Sequence, residues 1–184
     1  MKKEIIITGL VLILGFAGCK KDEPSIITSG TATLTSTLVL EGSTYSYYGF
    51  SFEKGGISKY NPETSTEWPD IVIIAIQEPS GDVTGAYLDS PNIIENSFNL
   101  TAEFDDETSA TDFFNNYKTV DVINFSKLAK PILKYQVWTF KTGKKLFAKI
   151  LITDVQAYIK ISTPYAETTF KWVYQPDGSN EFDN

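Results

Sequence analysis

The spacing of apolar and polar residues changes several times along the chain, and each change marks an element. Ile5 to Gly18 is an uncharged, largely apolar run of 14 residues. That is too short to cross a bilayer comfortably, which takes roughly 18 or more. Residues 31–40 are rich in Thr, Leu and Val and predict a strand. Residues 45–53 alternate, with Ser46, Tyr48, Phe50 and Phe52 on one face, and Gly55-Gly56 predicts the turn that follows. Residues 71–76 are continuously apolar and mostly β-branched, the pattern of a strand covered on both faces.

The middle of the chain, 77–131, is broken by Pro79, Gly81, Gly85, Pro91 and Pro131. Its one helix candidate is 107–117, with Thr108 or Ser109 as the cap. The acidic cluster Glu103, Asp105, Asp106 and Glu107 precedes it, and negative charge at a helix start is favourable. The same cluster could be read as a calcium site, but its spacing is not that of an EF-hand loop. The last third is more regular. Residues 134–140 and 146–152 flank Lys141-Thr142-Gly143-Lys144 and predict a hairpin. Leu146, Ala148, Ile150 and Ile152 face one way; Phe147, Lys149 and Leu151 face the other. Residues 155–162 suggest a further strand. Residues 168–174 suggest the last one, with Phe170, Trp172 and Tyr174 aligned, and Gln175-Pro176-Asp177-Gly178 a turn. The expected fold is a single, mostly β, antiparallel domain with at most one or two short helices.

A charged start, a short apolar run and small residues before Cys19 describe an export signal. Ala17-Gly18-Cys19 looks like the lipobox of bacterial lipoproteins, with Phe16 where an aliphatic residue is usual. Cys19-Lys20-Lys21-Asp22-Glu23 resembles the surface-export signal of Bacteroidetes lipoproteins. The competing readings are a cytosolic protein with an apolar N-terminal strand and an uncleaved anchor. The order of features favours the lipoprotein. Residues 1–18 are then the signal peptide, 19–30 the lipidated Cys19 with a flexible tether, and 31–184 the β-rich domain. Acyl chains at Cys19 would hold the protein at the outer membrane, since each buried methylene contributes about 0.8 kcal/mol.

Without residues 1–18 the net charge moves from −7 to −8. Nucleic-acid binding needs a basic face, so no nucleic-acid partner is expected. The mature chain has no His, no Met and no free Cys. Zinc sites of the Cys/His kind and His-dependent triads are therefore excluded, and no catalytic residue or metal ligand is assigned.

Four stretches together resemble the HmuY-like haem-binding lipoproteins of Bacteroidetes. They are Tyr48-Gly49-Phe50-Ser51-Phe52-Glu53-Lys54-Gly55-Gly56, Trp68-Pro69-Asp70-Ile71-Val72-Ile73, Val137-Trp138-Thr139-Phe140-Lys141-Thr142-Gly143-Lys144 with Phe147-Ala148-Lys149-Ile150, and residues 169–179. The resemblance spans about 45–182. It implies an all-β surface lipoprotein that collects haem for iron acquisition and passes it to an outer-membrane transporter. That family's best-known members ligate the iron with two His, and some relatives use Met; the mature chain has neither. Tyrosine is chemically able to replace them. Tyr45, Tyr87, Tyr117 and Tyr165, at expected strand ends or loops, are the candidates, and each has a packing role as its alternative.

Three other readings stay open. A glycan-binding lipoprotein would expose Trp68, Trp138 or Trp172 for stacking. An enzyme would have to use carboxylates such as Asp70, Asp105, Asp106 and Glu107. A structural envelope lipoprotein would need no small ligand. The reading preferred is a non-enzymatic binding module for haem or another flat apolar ligand.

Overall fold

The computed structural model describes residues 26–91, 95–122 and 124–182. The expected signal peptide, Cys19 and most of the expected tether lie outside the described residues. The fold is mostly β and antiparallel, with one short helix.

The strands form three sheets. The largest orders β1 (Ser29–Thr35), β10 (Thr163–Gln175), β9 (Phe147–Lys160), β8 (Gln136–Lys141) and β7 (Phe98–Glu103) side by side. The second is β2 (Leu38–Glu41), β3 (Thr44–Ser51) and β4 (Gly56–Tyr60); the third is β5 (Val72–Gln77) with β6 (Val83–Asp89). The expected strand over 31–40 is in fact two strands in two sheets. Ser36 ends the first: its N–H donates to Ala166 O at 2.9 Å and its Oγ accepts from Ala166 N at 2.8 Å. The chain then leaves β10 and turns to pair with β3. Pairing begins at Ser29, so the expected tether ends before residue 30.

The aligned faces meet in one core. Phe50 and Phe52 pack against Phe140, Phe170 and Trp172, with ring centroids 5.1–6.0 Å apart. Aromatic edge-to-face contacts of this kind add to the gain from burial. Ile73, Leu88, Ile150 and Ile152 complete it. Sheet β1-β10-β9-β8-β7 buries its other face as well. Helix α1 (Glu107–Asn116) lays Ala110 and Phe114 over Val137, Leu151 and Val173. The strand over 155–162 is the continuation of β9, carried past a bulge opposite Thr169 and Phe170. The helix cap is Asp106 rather than Thr108 or Ser109: its Oδ1 accepts from Ser109 N at 2.9 Å, which holds its carboxyl below the usual range.

Candidate binding site

Leu38, Tyr47 and Tyr60 stand in register across β2, β3 and β4. They share the sheet face opposite Phe50 and lie outside the cluster around it, although Tyr60 is itself buried. The Tyr47 and Tyr60 rings lie 5.8 Å apart, and Trp68 packs on Tyr60 at 5.6 Å. With Val72 and Ile74 of β5 and Pro164 at the start of β10, they enclose a groove of about 370 Å³. That volume falls in the ordinary range of small-molecule sites, about 300–1,000 Å³. Leu38 is 43% and Tyr47 37% exposed, although both are large and apolar. Leu40 and Tyr45 extend the same exposed face. Residues 71–76 were expected to be covered on both faces; Val72 and Ile73 are buried, whereas Ile74, Ala75 and Ile76 are only half-buried because the groove opens beside them.

The four candidate tyrosines are not brought together, and none lines the groove. Tyr45 lies on β3, 52% exposed. Tyr87 is half-buried on β6 under the ammonium of Lys130. Tyr117 follows α1 in the smaller core, its hydroxyl 3.0 Å from Thr139 Oγ1. Tyr165 is buried on β10 and donates to Glu167 at 2.6 Å. Burial pushes the hydroxyls of Tyr87, Tyr117 and Tyr165 up. In the groove itself, burial holds Tyr60 up at about 12, with Tyr47 and Asp89 adding to it. An axial tyrosine binds iron as phenolate, the form this burial opposes. The groove therefore suits a flat ring held by stacking better than an iron centre held by Tyr60.

Trp138 and Trp172 are buried in the core at 5% and 2% exposure, and Trp138 donates to Gln136 at 3.0 Å. Trp68 alone is half-buried, on the wall of a second, polar cleft that also holds Asp70. Burial raises the Asp70 carboxyl despite its hydrogen bond from Phe52 N at 2.8 Å. Asp105, Asp106 and Glu107 are exposed at the helix start. Among the described residues no group of three or more His, Cys, Asp or Glu could hold a metal ion.

No family model, curated protein or solved structure matches the chain. The groove residues Tyr47 and Tyr60 escaped the reading of the sequence. One signal was present: Tyr45 and Tyr47 occupy the face of residues 45–53 that alternation assigns to solvent.

Proposed function

We propose that the chain is a non-enzymatic binding module, acylated at Cys19 and held by that lipid on the outward face of the outer membrane. It takes a flat, largely apolar ring into the groove between Tyr47, Tyr60 and Ile74. The groove is the observation that carries this reading. Leu38 and Tyr47 stand partly uncovered on a concave apolar surface with a few polar groups, the usual form of a ligand pocket. Resemblance to the HmuY-like family makes a porphyrin the first ligand to test, and an outer-membrane transporter the partner that would receive it.

The test compares haemin with iron-free protoporphyrin on the purified mature domain. Both rings should quench protein fluorescence saturably. Tyr47→Ala should weaken both by about ten-fold, equivalent to 1.4 kcal/mol. Haemin should show no Soret shift of the kind axial tyrosinate produces. If neither ring binds, the groove is not a porphyrin site. The anchor is tested separately. Cys19→Ala should fractionate as soluble protein or uncleaved precursor, and a matured, lipidated Cys19→Ala would overturn the lipoprotein assignment.

A further inference from the structure

The second cleft, of about 880 Å³, differs from the groove in every chemical respect. It lies between the β3–β4 turn, the 61–70 loop and the β8–β9 turn. Its floor carries Asp70 and Tyr174, and its walls carry Trp68 and the hydroxyls of Ser58, Thr64 and Thr142. Two ion pairs line its rim. Lys144 Nζ donates to both carboxylate oxygens of Glu53, at 2.8 and 2.7 Å, joining the β8–β9 turn to the β3–β4 turn. Lys54 pairs with Glu67.

We propose that this cleft binds a neutral saccharide, with Trp68 as the platform for one sugar face. Three observations point there. The charges nearly balance, with Glu53, Glu67 and Asp70 against Lys54, Lys59 and Lys144 in the lining and Glu41 paired to Lys59 beside it, so the cleft offers little net field to an ion. An apolar ligand would strip water from these groups without replacing their hydrogen bonds, which is costly. A polyhydroxylated ring replaces them: its hydroxyls both donate to carboxylates and accept from ammonium groups in charge-assisted bonds. Finally, the half-buried Trp68 ring packs at a tilt against Tyr60, and its indole N–H has no acceptor among the described residues. A pyranose stacked there has both an apolar face for the ring and an oxygen for that donor.

The experiment is a titration of the full mature protein with methyl glycosides of glucose, galactose, mannose and N-acetylglucosamine, up to about 10 mM, where even a weak site of millimolar affinity fills. It is read by intrinsic fluorescence and by saturation transfer to the sugar. At least one glycoside should bind saturably. Trp68→Ala should abolish that binding. Lys144→Ala, a change at a side chain 66% exposed and therefore harmless to folding, should weaken it about ten-fold. Tyr47→Ala should leave it unchanged, which separates this site from the groove and its porphyrin test. Absence of saturable binding to all four glycosides overturns the proposal. So does binding that survives both cleft substitutions, and so does release of free sugar during the titration.

Discussion

Lys149 sits on β9 with its side chain fully buried, on the face that packs against α1. Its ammonium donates to Phe114 O at 2.7 Å and Tyr117 O at 2.8 Å, and lies 4.9 Å from the centre of the Phe114 ring. These carbonyls close a helix that carries no basic residue in its own last turn. The sheet thus supplies the cation that the helix C-terminus favours. Burial nevertheless pushes Lys149 down to about 8, from an ordinary 10.5. Between those values the unfolded chain holds a proton that the folded one has released, so stability rises with pH. Tyr60 and Tyr174 act the other way. Burial raises each from 10.0 to about 12, so above pH 10 the unfolded chain loses protons that the folded one keeps, and stability falls. The urea midpoint should therefore climb from about pH 8 toward pH 10 and then drop. Lys149→Met should abolish the climb and keep the drop. Relative to the parent it should lose about 1–3 kcal/mol near pH 10, where the desolvation cost of the charge is gone and the Phe114 and Tyr117 carbonyls lose a buried donor. A climb that persists in Lys149→Met would assign it to another group.

Among the elements, the junction of β3 with β5 sets the shape of both clefts. Phe50 N donates to Ile71 O at 2.9 Å and Phe50 O accepts from Asp70 N at 2.9 Å, tying the two sheets together. Gly49 makes room for this crossing. A Cβ there would stand 2.3 Å from Pro69 Cγ and 3.1 Å from Ile71 O. Gly49→Ala should cost about 1–3 kcal/mol by overpacking, seen as a lower urea midpoint at unchanged slope. Because Pro69 adjoins Trp68 and Asp70, the same change should weaken ligands in the polar cleft; intact binding there would mean that the loop yields freely. Parts of this arrangement were legible in the sequence. The shared face of Phe50 and Phe52 and that of Phe170, Trp172 and Tyr174 follow from period alone; the helix expected over 107–117 spans Glu107–Asn116. β6 and β7 did not stand out, since Gly85 thins the apolar pattern of one and a bulge between Leu100 and Ala102 breaks the alternation of the other. The split at Ser36 was hidden because a serine side chain standing in for a strand partner leaves no mark on hydrophobic periodicity. Neither cleft could be read in advance, for each is built from strands distant in sequence.

At the scale of the molecule the two clefts lie toward opposite ends of β10. Ser29 pairs with Val173 where the chain enters the domain, next to Tyr174 of the polar cleft. The β9–β10 hairpin turns at Ile161 and Ser162, both at positive φ, beside Pro164 of the groove. The ten residues of β10 between these levels span roughly 33 Å at about 3.3 Å each. An anchor at Cys19, as proposed, would join the domain at the polar-cleft end, leaving the groove and hairpin tip at the far end of β10. This gives the outward-facing reading a direct check. Ile161 is 93% exposed at that tip, so Ile161→Cys adds a thiol without disturbing packing. The chain's single natural cysteine is Cys19, and the proposed acylation would block its sulfur. On intact cells a membrane-impermeant maleimide should label Ile161→Cys and leave the parent protein unlabelled. Labelling of the variant only after lysis would turn the domain toward the periplasm. Labelling of the parent would show a free thiol at Cys19 and remove the anchor from which the orientation is argued.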